Sequence, residues 1–398
     1  MNDTTRQRIL PASLIFAATL AMACGDASGP DPDEVEADGA REGQDVDPEP
    51  GDEPGDEPGA EPGAEPGDEP GEEPDPTVVD PPTCGGDEGC VDVFPNVIMD
   101  TTVGGTRDWG TYGCAPETNE GGPERAYRVV LPSAGFLAAR LRGQADGVDI
   151  DVHVLSARDA DACLDRGHLA AGAYLGAGEY WVVADTWVDG EGVEYAGAFE
   201  LELELTRPED LEAHGMGVEV AFDALTAFST AWSRGETKRL EYTISDFSMH
   251  SSLKRQWVVD LATGELLYTL HVGHGENSIV GDDLGVSSVF SNVPQSHQSS
   301  LGLMRAAESY TGDYGYSMRL DGLEPGFNDN VRARDIVVHP WDGNRPDVIA
   351  DLGWVAPSWG CATLEPTVSA EVIDMIRDGS LMFFWYPDET WRRGSTFL

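Results

Sequence analysis

The sequence predicts a mainly β protein: a β-sandwich, then a mostly β region with short helices, behind a disordered acidic linker. Three observations carry this. Phe199, Leu201, Leu203 and Leu205 alternate with Glu200, Glu202 and Glu204, the period of a half-buried strand. Short β-rich runs separated by Gly, Asp and Pro clusters fill the stretch 91–206, as in a sandwich. Between Asp26 and Asp80 lie 22 of the 73 acidic residues, with one basic residue, Arg41, and no aromatic. Such a segment cannot bury enough apolar surface to offset its ordering entropy.

The N-terminus, residues 1–24, reads as an export signal. Arg6 and Arg8 precede the apolar run "ILPASLIFAATLAMA" and then Cys24, too short a run for a comfortable membrane span. "LAMAC" resembles a bacterial lipobox, which implies acylation of Cys24 and a lipid-anchored protein in the cell envelope, facing the periplasm. Ala21-Met22-Ala23 also fits ordinary A-x-A cleavage. Either route takes the chain out of the cytoplasm, into a compartment that permits disulfides.

Residues 25–83 form the acidic linker. Its centre repeats every four residues as "GDEP GDEP GAEP GAEP GDEP GEEP". Proline and like charge extend such a chain, and at ~3.1 Å per residue it reaches well over 100 Å. The reading is a tether that holds the folded part away from a membrane. The formal charge of −49 argues against nucleic acid as a partner, because phosphate binding needs clustered Lys and Arg.

The cysteines are Cys24, Cys84, Cys90, Cys114, Cys163 and Cys361. "CGGDEGC" would close a local loop from Cys84 to Cys90, and Cys114 and Cys163 would staple the sandwich, although four cysteines allow three pairings. With Cys24 acylated, Cys361 stands outside either pair. A retained thiol in an oxidising compartment favours a chemical use.

Within 91–206 the expected strands are "RAYRVVL", "GFLAARL", "DIDVHVL", "EYWVVAD" and "AFELELEL". Together with "PERAYRVVLPSAG" and "LGAGEYWVVAD", they resemble the bacterial pre-peptidase C-terminal domain, an accessory module of secreted enzymes. Asp149 and Asp151 read as acids on the solvent face of a strand, with calcium binding as the alternative.

The last region, 220–398, carries a hairpin in which "RQWVVDL" and "ELLYTLHVGHG" flank "ATGE". A strand "ARDIVVHP" ends at His339, one helix lies in "TVSAEVIDMIRDGS", and "LMFFWYP" is a closing strand. "PSWGC" places Cys361 after Gly360 in a loop between strand and helix. A thiol that attacks an acyl group needs a base and oxyanion donors. His339, at the end of an apolar strand, is the upstream imidazole on a rigid element. Ser358 would steady the loop or bind substrate.

"KRQWVVDLATGELLYTLHVGHGENS", "FSNVPQSHQSSLG", "ESYTGDYGYSMRLDGLEPGFNDNVRARDIVVHP" and "PSWGC" together resemble the murein L,D-transpeptidase catalytic domain, in its YkuD-like branch with an S-x-G-C motif. The resemblance implies Cys361 as nucleophile and His339 as general base. His274, Gly275, Asn292, Ser300, Ser358 and Gly360 would line or support the site. It implies peptidoglycan stem peptides as substrate, a cysteine thioester intermediate, and neither metal nor organic cofactor. The sequence departs from the family at Pro357, where arginine is usual, at Ala362, where proline is usual, and at Pro340, where glycine is usual. Those departures motivate the alternatives: a non-catalytic wall-binding lipoprotein, or an L,D-carboxypeptidase that uses water as acceptor. A cysteine peptidase acting on proteins is a further rival.

Overall fold

The computed structural model describes residues 83–87 and 89–398. The signal segment with Cys24, and all but the last residue of the acidic linker, lie outside the described residues. Two short strands, β1 (Cys90–Val91) and β2 (Asn96–Thr101), precede β3 (Glu124–Leu131), β4 (Gly135–Arg142), β5 (Ile150–Leu155), β6 (Cys163–Gly167), β7 (Ala170–Leu175), β8 (Gly178–Thr186) and β9 (Ala198–Thr206). They build a five-stranded sheet in the order β1-β3-β8-β5-β6 and a four-stranded sheet in the order β2-β9-β4-β7. Phe199, Leu201, Leu203 and Leu205 of β9 turn inward and meet Val129, Leu131, Ile150, Val152 and Val182 of the opposite sheet. Cys84 pairs with Cys90 and Cys114 with Cys163.

The outer face of the five-stranded sheet is not solvent. Segment 102–123 roofs it, with Tyr112 packed on Leu155 and Val183. Glu124, Asp185 and Asp151 lie side by side in one row across β3, β8 and β5. All three, with Glu120 from the roof, are almost fully buried. This corrects the solvent-face reading of Asp151, which pairs with Arg166 and His168 under the roof. Alternation assigns a side chain to a face, but not whether that face is covered.

Helices α1 (Pro208–Ala213) and α2 (Val218–Ser233) follow, then β10 (Glu241–Asp246), β11 (Gln256–Asp260), β12 (Glu265–Leu270), β13 (Gly302–Gly312), β14 (Gly315–Gly322), β15 (Val337–Pro340), α3 (Pro346–Leu352), β16 (Ala362–Leu364), α4 (Ser369–Ile376), β17 (Leu381–Trp385) and α5 (Glu389–Gly394). The region holds the expected short helices, of which the sequence located α4. The longest, α2, is alanine-rich, and its Val220, Ala224, Leu225, Phe228, Ala231 and Trp232 are buried at helical spacing. The strands form one mixed sheet, β12-β11-β10-β17-β13-β14-β15-β16. The β11–β12 hairpin is antiparallel, β15–β16 is parallel, and α4 covers the "TVSAEVIDMIRDGS" stretch.

The two regions share one buried core. Phe136 of β4 packs edge-on against Phe228 and Trp232 of α2, at 5.1 and 5.6 Å between ring centroids. Trp232 Nε1 donates to Asp165 of β6 at 2.7 Å. Arg140 of β4 makes a bidentate pair with Asp260 of β11 at 3.2 and 2.9 Å. Among the described residues no helix is long and apolar enough to cross a membrane.

Candidate active site

Strands β15 and β16 end the large sheet and carry the two expected reactive residues. Val338 pairs with Ala362 and His339 with Thr363, in parallel. Extending that register back by one residue sets Cys361 beside Val337, and the two side chains pack together. Side chains two apart along a strand share a face. Cys361 and His339 therefore lie on one face as diagonal neighbours, a separation of about 7–8 Å between such backbone positions and within reach of a long or aromatic side chain.

His339 is held from one side. Its Nδ1 lies 2.9 Å from the Pro340 carbonyl, so Nδ1 carries the proton and donates, leaving Nε2 as the basic atom. Tyr314 packs on the ring with 4.5 Å between centroids. Burial lowers the His339 pKa below its usual value, opposed by the Pro340 contact. The imidazole is thus neutral at pH 7.

Cys361 has no exposed surface and His339 almost none. The Val337 N–H points at Cys361 Sγ, at 3.4 Å, and the sulfur lies 3.6 Å from the Asp335 carbonyl. Cys361 is disulfide-bonded in this structure, and none of the described cysteines is a free thiol. This corrects the expectation of a sulfur outside any pair. Thiolate chemistry belongs to the reduced protein. A cleft of about 540 Å³ lies elsewhere, between α2 and strands β6 and β7.

The motif loop is locked by Ser358. Its hydroxyl donates to the Cys361 carbonyl at 2.8 Å and accepts the Gly360 N–H at 3.1 Å. The Gly360 N–H, one expected oxyanion donor, is thereby committed. Gly360 has φ +112°, and a Cβ there would lie 2.6 Å from the Gln298 carbonyl oxygen, so only glycine fits. The Ser358 N–H donates to the His274 carbonyl at 2.8 Å, and the Glu276 N–H to the Ser358 carbonyl at 2.7 Å. At Gly275 a Cβ would lie 2.3 Å from the His297 carbonyl oxygen.

His274 is buried, and its carbonyl supports this bridge. Its Nδ1 accepts from Arg255 at 2.8 Å. Burial, reinforced by the Arg255 charge, lowers its pKa to about 3. Asn292 and Ser300 belong to the loop 291–300. Asn292 Nδ2 donates to Asp329 at 2.6 Å, and Ser300 Oγ donates to the Ser291 carbonyl at 2.9 Å. Both shape the loop wall beside Gly360. Sequence reasoning missed Arg255, Arg334 and the Asp335 carbonyl. The arginines look like surface charges in the sequence, and nothing local marks them as buried.

Two cation-ligand clusters occur among the described residues, Cys114–His153–Cys163 and Asp149–Asp151–His168. The first is spent on a disulfide. The second is crossed by the Arg166 guanidinium. Neither touches Cys361.

The family model described as the L,D-transpeptidase catalytic domain matches residues 212–385. No curated protein was found to match the chain. Among solved structures, the pre-peptidase C-terminal domain of a Bacillus anthracis collagenase is similar at 12% identity and TM-score 0.20, covering 29% of this chain and 93% of that one. An L,D-transpeptidase from Stackebrandtia nassauensis is similar at 13% identity and TM-score 0.24, covering 43% and 68%. The Enterococcus faecium L,D-transpeptidase C442S mutant is similar at 13% identity and TM-score 0.25, covering 42% of this chain and 64% of that one. Residues 212–385, a little under half of the chain, are thus similar to the L,D-transpeptidase catalytic domain.

Proposed function

We propose that the protein is a peptidoglycan L,D-transpeptidase that works through a thioester on Cys361. The observation that carries the reading is the β15–β16 register, which sets Cys361 and His339 on one face, with His339 Nδ1 tied to the Pro340 carbonyl. In the reduced protein, His339 Nε2 takes the thiol proton. The thiolate attacks the carbonyl of the diamino acid's L-centre in a stem peptide. The C–N bond to the terminal D-residue breaks, and the proton on His339 passes to the leaving amine. An acceptor amine attacks the thioester, gives its proton to His339 and releases the thiolate. Water as acceptor makes the product of an L,D-carboxypeptidase. The residues supply this chemistry without a metal or organic cofactor.

Substrate reaches the buried sulfur only when the chain around it opens. The committed Gly360 N–H, with Pro357 and Ala362 in the motif, favours the second reading, a wall-binding lipoprotein that keeps the fold without turnover. The test uses the full, reduced chain with tetrapeptide muropeptides. D-Alanine release, a thioester adduct at Cys361, and loss of both in Cys361→Ala are the expected results. Binding without release supports the second reading, and turnover of an unrelated peptide supports a protein peptidase. The protein is further proposed to sit in the cell envelope on a lipid at Cys24. The intact mass of the mature chain tests this, and an unmodified N-terminus overturns it.

A further inference from the structure

The loop beside the nucleophile is held by one side chain. Arg334 Nη1 donates to the Ser291 carbonyl at 2.6 Å and to Ser300 Oγ at 2.7 Å. Its Nη2 donates to Ser296 Oγ at 3.1 Å and to the Gln298 carbonyl at 2.7 Å. All four acceptors are neutral. Among the described residues no carboxylate pairs with this guanidinium, and Nε is buried with no hydrogen-bond partner. Burial alone lowers its pKa, to about 10, with no acid pulling it back. Removing a charge from water without an opposite charge is costly.

The placement gives that cost a use. The Gln298 carbonyl that Arg334 grips is the atom that abuts Gly360, one residue before Cys361. The next residue after Arg334 is Asp335, whose carbonyl lies 3.6 Å from Cys361 Sγ. Two chain paths thus tie the guanidinium to the sulfur. Of the four non-glycine residues with positive φ among the described residues, Gln295, His297 and Asp335 lie in this loop or next to Arg334. Such backbone persists where surroundings over-determine it, and a planar fork that meets four acceptors does so. Lysine could carry the charge but not the fork.

We propose that Arg334 is the positioning residue of the acyl site, which shapes the 291–300 loop against Cys361 and supplies a positive field at the sulfur. It acts through the loop and through space, since its four terminal N–H groups are already spent. This inference rests on the reading of Cys361 as nucleophile.

The test compares reduced full-length wild type, Arg334→Lys and Arg334→Met. Cys361 is alkylated with anionic iodoacetate and neutral iodoacetamide at 0.15 M salt, where the Debye length of ~8 Å screens distant charge. The ratio of the two rates is normalised to free cysteine. For wild type the ratio should exceed one. It should fall several-fold in Arg334→Met, as expected for loss of one nearby charge, and survive in Arg334→Lys. Hydrogen exchange of residues 291–300 should rise in both variants, because neither keeps the fork. A wild-type ratio at or below one overturns the proposal even if Arg334→Met does not fold, and so does an unchanged ratio in a folded Arg334→Met. If the ratios behave but muropeptides are not turned over, the transpeptidase reading fails while the field remains. If turnover occurs with unchanged ratios, the reverse holds.

Discussion

The sandwich gathers buried acids under one roof, whereas the region of residues 212–385 holds two arginines that no carboxylate hydrogen-bonds among the described residues. Under the sandwich roof, Glu120, Glu124, Asp151 and Asp185 are shut from solvent around one guanidinium, Arg166. In the region of residues 212–385, Arg255 is buried and Arg334 half-buried, and among the described residues no carboxylate is hydrogen-bonded to either; Arg255 bonds the Met249 and Val272 carbonyls and His274. Burial pushes the Asp185 pKa up to about 8 and drives Glu120 upward as well, the latter also through Asp151 beside it. It pulls Arg255 down to about 9. In a chain with a charge of −49, a guanidinium without a carboxylate partner among the described residues thus lies in the loop beside the proposed reaction centre. Net charge describes the surface the protein shows to its surroundings, while the field at a site depends on which few groups are enclosed there.

The largest effect should come from removing what the cationic side serves. Cys361→Ala should reduce D-alanine release to background, and His339→Ala should cost about 10²–10⁴-fold in kcat/KM, measured on muropeptides. If both variants stay active, the contrast between the regions has no catalytic meaning. For wild type, the acid limb of kcat/KM should have its midpoint below the ordinary histidine value of about 6.5, because burial lowers the His339 pKa and the base form persists at lower pH. A midpoint above that value would contradict the neutral imidazole.

The next effect breaks the seam. Trp232 is 2% exposed and touches both regions, so Trp232→Ala should cost about 3–5 kcal/mol. Calorimetry should show one transition lowered by on the order of 10 °C; a shift confined to a separate sandwich transition would show the regions to be independent.

The smallest effect sharpens the acidic side. A carboxyl whose folded pKa lies above its unfolded one stabilises below the unfolded value and loses that contribution as pH rises through the folded value. Glu120 and Asp185 should therefore make the protein melt lower at pH 9 than at pH 6. Glu120→Gln should flatten that loss by a few degrees, read by melting at both pH values. A steeper loss in the variant would mean that Arg166 depends on the Glu120 charge.

The parts of this molecule legible in the sequence are those encoded locally. The β9 alternation, the β11–β12 hairpin and the apolar strand ending at His339 need only neighbours in the chain. The motif serine, glycine and cysteine mark their own loop. What escaped depends on distant partners. The roof over Asp151 comes from a segment about 30–50 residues upstream, so period-2 reasoning assigned it to solvent. Helix α2 is rich in alanine, and its apolar face is explained by the sandwich it packs against. Arg334 reads as one of two basic residues in "NVRARD"; Arg332 of the same run does pair with acids, Glu308 and Asp321, and only the fold separates the two.

The helix wedged between the sheets, with Phe136, Phe228 and Trp232 at its centre, also fixes how the whole body must approach a polymer. A module joined through a continuous core cannot swivel on a hinge. If the proposed function holds, any grip the sandwich takes on a polymer sets the angle at which the Cys361 end of the body meets its substrate, so a wrong angle would block turnover without touching a reactive atom.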